Sequence, residues 1–168
     1  MKRLLIVVLA LLAPAHAAGP RVVDVHVGRA GAAKGFVAGP GRVVTVAHVL
    51  GDGELRVDGR RATVLRRDDH LDLAVLAVPG VDGPRVRVGG ASPAVMRRAD
   101  ARVDGSAWRR PVLQLHIEVE DGDSGTPVLS ADGRVVGVVF ARSQSRPGVA
   151  WAVDCRVGSL PCGSSLEP

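Results

Sequence analysis

The sequence has no tyrosine and only two phenylalanines and two tryptophans among its 168 residues. It therefore lacks the aromatic platforms on which nucleic-acid bases stack. Its basic residues, nearly all arginine, are scattered among acidic ones rather than massed on one stretch, so no nucleic-acid partner is expected. The formal charge of +5 describes an ordinary solvated surface. Cysteine is scarce as well: Cys155 and Cys162 have no companion ligands with the spacing of a zinc site. His26, His70 and His116 follow no ligand motif either, and neither a metal nor a cofactor is expected. Past the first dozen residues no apolar run approaches the roughly 18 residues that would suggest a membrane span, so no stable membrane insertion is expected. Helical periodicity is weak, confined to a turn or two from about Asp154 to Leu160.

The amino-terminal residues have a different character. Lys2 and Arg3 precede an apolar run from Leu4 to Leu12, and Ala15-His16-Ala17 follows as a small-x-small cleavage site. That is the layout of a secretory signal peptide over residues 1–17, with a short amino-terminal anchor as the alternative. Its removal lowers the charge by two and starts the mature chain near Ala18. Export to a periplasm or the medium would permit Cys155 and Cys162 to form a local disulfide, with free thiols or a linked dimer as alternatives. Nothing in the sequence indicates the oligomeric state.

What remains is rich in valine and glycine, arranged as short β-branched runs separated by turn residues, the pattern of an all-β sandwich or barrel. Six strands are expected before the middle of the chain: Val22–Val27, Gly35–Ala38, Val43–Val49, Glu54–Val57, Ala62–Arg66 and Leu73–Val78. Six more follow: Arg85–Val88, Val95–Val103, Val112–Val119, Thr126–Leu129, Val135–Ala141 and Val149–Val153. Turn signals such as Gly39-Pro40-Gly41, Asp58-Gly59, Asp104-Gly105 and Asp132-Gly133 punctuate them. The stretch Pro79-Gly80-Val81-Asp82-Gly83-Pro84 separates the two sets. The organisation expected is two small packed barrels, residues 18–79 and 85–168, joined by a linker at 80–84, with no solenoid repeat.

Three segments carry chemistry. In Gly122-Asp123-Ser124-Gly125-Thr126-Pro127, glycines flank a serine and let the backbone bend tightly. A serine hydroxyl attacks a carbonyl only with a base beside it and with donors for the oxyanion it creates. The amides of Gly122 and Ser124 are suited to that second task. In Thr45-Val46-Ala47-His48-Val49, a histidine ends an apolar strand. In Asp69-His70-Leu71-Asp72-Leu73-Ala74-Val75-Leu76, a carboxylate stands at the mouth of another, where burial demands a partner such as an imidazole N–H. Asp68 and Asp69 fall in the turn ahead of that strand. Each segment alone has an ordinary structural reading, as a turn or a strand end.

Together, and in this order, the segments resemble the A-H-V, D-L-A-V-L and G-D-S-G-x-P sites of the trypsin-like, chymotrypsin-fold serine proteases, whose triad runs His, Asp, Ser along the chain. Gly35-Phe36-Val37-Ala38, Val135–Phe140 and Gly148–Val153 resemble further strands of that family. The nearest likeness is to small bacterial members and to the protease domain of periplasmic HtrA-type enzymes. The resemblance implies two six-stranded antiparallel β-barrels with an active site between them. It also implies a catalytic triad of His48, Asp72 and Ser124, an oxyanion hole from Gly122 and Ser124, and a protein or peptide substrate cleaved through an acyl-enzyme. By the same alignment the primary specificity pocket is lined by Glu118, Val119, Phe140, Ala141, Arg142 and Gly148. Glu118 there would favour a basic residue, unless it points away or pairs with Arg142.

Some features depart from the family pattern. The I-V-G-G terminus that activates digestive members by pairing with the residue here numbered Asp123 is lacking, so Asp123 is expected to find another partner. The short spacings between the three segments imply short loops, and no PDZ segment follows within the sequence, both unlike a quality-control cage. A catalytically silent binding protein on the same fold, its oxyanion loop collapsed by Glu118, Glu120, Asp121 and Asp123, is the alternative, and a serine esterase is another.

Overall fold

The computed structural model describes residues 19–28, 31–90, 97–101 and 110–156. The expected signal peptide, Cys162 and most of the expected carboxyl-terminal turn lie outside these residues. Among them are twelve strands: β1 (Val22–Val27), β2 (Gly31–Gly39), β3 (Arg42–Val46), β4 (Leu55–Val57), β5 (Arg60–Arg61), β6 (Thr63–Asp68), β7 (Leu73–Ala77), β8 (Arg97–Ala101), β9 (Arg110–Leu115), β10 (Pro127–Leu129), β11 (Val135–Arg142) and β12 (Ala150–Asp154). All strand pairings are antiparallel, and no helix occurs among the described residues.

The first sheet runs β5-β4-β1-β2-β3-β7-β6. Its two edge strands, β5 and β6, are separated in the chain only by Ala62, whose N–H donates to Leu55 O at 2.9 Å. Residues 60–68 thus form one bent strand that pairs with β4 through its first part and with β7 through its second. The sheet closes on itself and leaves no free edge. Counted this way the first barrel has the six strands the sequence implies. The β4–β5 hairpin turns at Asp58 and Gly59, both with positive φ (47° and 76°). That is the geometry an Asp-Gly pair supplies in a two-residue hairpin loop.

The second sheet runs β10-β11-β12-β9-β8. The expected strand Arg85–Val88 is not a strand. Val88 makes a single parallel bridge with Val135, in which Val135 N–H donates to Arg87 O and Gly89 N–H to Val135 O. Two glycines with positive φ, Gly89 and Gly90, then turn the chain away. Val86 N–H meanwhile donates to Ala38 O of β2 at 3.0 Å, so this segment stitches one sheet to the other.

Side-chain alternation sorts the valines into three cores. In β3, Val43 points into the first barrel while Val44 and Val46 point outward, and in β7 Ala74 and Leu76 point in while Leu73 and Val75 point out. In the second sheet Leu113, Leu115, Val136, Val139, Ala150 and Ala152 form a separate inner cluster. The outward residues of the first barrel, with Phe36 and Ala38, meet Val112, Val135, Val138, Phe140 and Val153 of the second. Strands buried on both faces read as continuous apolar runs, which is why β3, β7 and β11 are so uniformly hydrophobic. Phe36 is fully buried at this seam. Its replacement by alanine is expected to lower unfolding free energy by about 3–5 kcal/mol, measurable as an earlier midpoint in urea denaturation.

Candidate active site

His48 and Asp72 meet at one end of the first barrel. β3 stops at Val46, and Ala47, His48 and Val49 form a turn rather than the continuation of the strand that the sequence suggests. Ala47 N–H donates to Asp72 O at 3.1 Å, His48 N–H to Asp72 Oδ1 at 2.8 Å, and the ring bonds through Nδ1 to Asp72 Oδ2 at 2.7 Å. The Asp72 side chain is 7 % exposed and that of His48 45 %. A carboxylate in this position takes Nδ1–H as the donor, which leaves Nε2 of the ring as a proton acceptor.

Asp72 itself precedes β7 in a turn with φ of 56°. It is therefore not held by strand geometry, as the sequence suggests, but by main-chain and side-chain bonds to residues 47 and 48. Aspartate tolerates this left-handed conformation better than most residues. Asp68 and Asp69 are engaged elsewhere. Asp68 Oδ1 accepts the Leu71 N–H at 2.9 Å, and Asp69 pairs with Arg67 at 2.7 Å on the surface.

Ser124 lies in the loop between β9 and β10. Ser124 O accepts the Lys34 N–H from β2 at 2.8 Å, Gly125 N–H donates to Val139 O at 2.7 Å, and Thr126 N–H donates to Asp123 O at 3.0 Å. Thr45, fully buried, donates its hydroxyl to Lys34 O and steadies that seat from below. The loop is thus pinned to both barrels. Gly125 has φ of 97°, and a Cβ there would fall on Lys34 O. The Asp123 carboxylate accepts the Glu120 N–H at 2.8 Å, closing the loop on itself. Lys34 also reaches Asp24 at 2.6 Å. That hydrogen bond raises the ammonium above its ordinary range, with a smaller contribution from Asp123, and lowers the Asp24 carboxyl.

A cleft of about 950 Å³ brings together His48, Gly122 and Ser124 with all six residues assigned to specificity, Glu118, Val119, Phe140, Ala141, Arg142 and Gly148. Among the described residues, the N–H groups of Gly122 and Ser124 donate to no other group. Ser124 Oγ donates to Phe140 O at 3.4 Å, a long bond that a side-chain rotation releases. Arg142 pairs with Asp121 at 3.2 Å, not with Glu118, which is left exposed and without an ion pair among the described residues. No three His, Cys, Asp or Glu side chains among the described residues are grouped as metal ligands. Cys155 is buried and disulfide-bonded.

Sequence reasoning missed Arg110. This residue opens β9, is buried, and places Nη1 3.3 Å from Asp72 Oδ2. A single arginine at a strand start carries no local signal that distinguishes it from solvated surface charge.

A closed antiparallel barrel packed on a second antiparallel sheet, of five strands among the described residues rather than the six expected, with a cleft at their seam, matches the chymotrypsin-like architecture. No protein-family model matches the chain. It is 34 % identical over 138 residues to the serine protease Rv3671c of Mycobacterium tuberculosis, covering 63 % of this chain and 35 % of that one. It is 30 % identical over 153 residues to a probable periplasmic DegP-like serine endoprotease of Rhizobium meliloti, covering 73 % and 30 %. The crystal structure of the active form of the Rv3671c protease superposes with a TM-score of 0.70 at 25 % identity, over 88 % of this chain and 86 % of that one. A serine endoprotease from Yersinia pestis shares the fold, with a TM-score of 0.61 at 19 % identity, over 82 % of this chain and 59 % of that one. The chain shares the fold of these serine proteases and is similar to them in sequence, and it spans about a third of the length of the curated relatives it matches.

The seat of the serine loop is open to test. Gly125→Ala is expected to dislodge Ser124 from Lys34, because both the positive φ and the added Cβ oppose the native packing. Labelling by a fluorophosphonate serine probe should fall by at least about tenfold while the far-ultraviolet dichroism of the β-sheets persists.

Proposed function

We propose that this chain hydrolyses peptide bonds in proteins or peptides through Ser124, with His48 as general base and Asp72 as the group that orients it. Ser124 Oγ attacks the scissile carbonyl carbon, and its proton passes to His48 Nε2. The carbonyl oxygen, now negative, accepts the N–H groups of Gly122 and Ser124. His48 returns the proton to the departing amine, which leaves an acyl-enzyme. Water, deprotonated by the same imidazole, then releases the acid. Asp72 holds the ring in one tautomer and balances the imidazolium without taking its proton.

The observation that carries this reading is the pair of hydrogen bonds from His48 to a buried Asp72, through its backbone N–H and its ring, on the wall of a cleft that Ser124 also lines. The cleft also supplies the pocket residues for the substrate side chain. Glu118, exposed and without an ion pair among the described residues, favours a basic residue next to the scissile bond. We read residues 1–17 as an export signal and the place of action as periplasmic or extracellular, in keeping with the periplasmic DegP-like relatives. One observation favours a second reading, a silent binding protein: Ser124 Oγ turns to Phe140 O. A serine side chain rotates on the picosecond-to-nanosecond scale, so this orientation by itself does not block attack.

The mature protein is expected to react with a fluorophosphonate probe and to cleave an unfolded protein such as casein. Ser124→Ala should abolish labelling and lower turnover by about three orders of magnitude or more with the fold intact. Hydrolysis that survives in Ser124→Ala would sink the assignment, and a wild-type protein that neither labels nor cleaves would favour the silent reading.

The carboxylates give a sharper comparison. Asp72→Asn keeps the shape but offers the ring an amide, and turnover should drop by about 10⁴-fold. Asp68→Asn retains an oxygen for the Leu71 N–H, and Asp69→Asn loses only an exposed pair, so each should stay within about threefold of wild type. A crippled Asp69→Asn beside a near-normal Asp72→Asn in the same peptidase assay would reverse the assignment.

A further inference from the structure

Arg110 is a poor structural choice for its position. Its side chain is 9 % exposed, and among the described residues its Nε and Nη1 have no hydrogen-bond partner. The guanidinium lies over the ring of Phe140, 5.4 Å from its centroid. An apolar side chain of similar length would fill that space without leaving buried polar groups unsatisfied. The one ion pair Arg110 makes among the described residues is with Asp72 Oδ2, the same oxygen that bonds the His48 ring.

The charge sits where the site has a deficit. With His48 neutral, the Asp72 carboxylate receives only uncharged donors from residue 48, although its side chain is 7 % exposed. A buried charge balanced by neutral donors alone is costly, and the group is free to turn or to draw in water. Arg110 comes from β9 of the second sheet, whereas Asp72 and His48 belong to the first. Its stack on Phe140, whose carbonyl accepts Ser124 Oγ, sets it against the strand behind the nucleophile.

We propose that Arg110 is a positioning residue for the triad: its charge offsets the burial of Asp72 across the barrel seam and keeps the carboxylate turned to His48. The inference rests on the hydrolytic reading above. Arg110 touches no substrate and acts through Asp72 alone.

The test compares wild type, Arg110→Met, Arg110→Lys, Asp72→Asn and the double variant Asp72→Asn/Arg110→Met. Readouts are kcat and KM on a peptide substrate, the rate of fluorophosphonate labelling, and thermal unfolding. Arg110→Met keeps length and contact with Phe140 but loses the charge. It should lower kcat and labelling about 10- to 100-fold, by analogy with the partners that orient metal-bound histidines, with KM little changed. Arg110→Lys should recover part of that loss. In the Asp72→Asn background, Arg110→Met should cost nothing further, because a residue that acts through Asp72 has nothing left to orient. The double variant should also unfold at a higher temperature than Arg110→Met, since it buries no unbalanced charge.

The inference is overturned if Arg110→Met labels at the wild-type rate, if Arg110→Lys is as slow as Arg110→Met, or if Arg110→Met slows Asp72→Asn by the factor seen in wild type. If Arg110→Met does not fold, Arg110→Lys and the double variant carry the comparison. Wild-type protein that takes no label overturns the hydrolytic reading and this inference together, whereas labelled wild type with unaffected Arg110→Met overturns this inference alone.

Discussion

The carboxylate of Asp72 is a charge almost removed from water, and the geometry around it follows from satisfying that charge. Two hydrogen bonds and one ion pair converge on it: the backbone N–H and ring of His48 bond to it, and the guanidinium of Arg110 lies 3.3 Å away. The left-handed turn at residue 72 and the break of β3 after Val46 are local departures from regular strand geometry that make this convergence possible. Burial makes the carboxylate sensitive to the position of each donor, because low-dielectric surroundings magnify both a good bond and a missing one. An imidazole bonded at Nδ1 has only Nε2 left for a further partner, so a polarity set by burial is carried to the far side of the ring.

The second constraint is that the site belongs to neither barrel alone. His48 and Asp72 stand on the first sheet, while Ser124, Phe140 and Arg110 stand on or between strands of the second. The seam that joins them is a packed apolar layer of Phe36, Val44, Val46, Val75, Val112, Val138 and their neighbours, with Thr45 and Lys34 supplying the polar fastening for the serine loop. Close-packed seams transmit small displacements, so the docking of the barrels and the alignment of the site are one problem. The loop that bears Ser124 closes through the Asp123 carboxylate and the Glu120 amide, a bond internal to the loop.

The cleft walls divide charge unevenly. Arg142 is spent on Asp121, and the acidic side chain of Glu118 remains exposed at the wall of the cleft. Arg146, which also lines the cleft, lies 5.8 Å from the centroid of the Trp151 ring.

Much of this was legible in the order of residues. Period-two burial in Val22–Val27, the Asp58-Gly59 hairpin and the three chemical segments are properties of short stretches, and each stretch carries its own signal. So did the likeness of those segments, in order, to a protease family, and with it the double-barrel fold. The tertiary structure alone decided what depends on distant partners. Residues 60–68 form one bent strand because β4 and β7 both compete for their backbone groups. Residues 85–88 lose strand status because their neighbours sit on two different sheets. Asp72 is held from a turn, since bonds from residues 24 positions away outweigh its own backbone preference. Arg142 chose Asp121 over Glu118, and Arg110 reached Asp72, because an ion pair is selected by the space between folded strands. A run of residues encodes its own periodicity and turn chemistry; the balance of a buried charge depends on which strands happen to pass beside it.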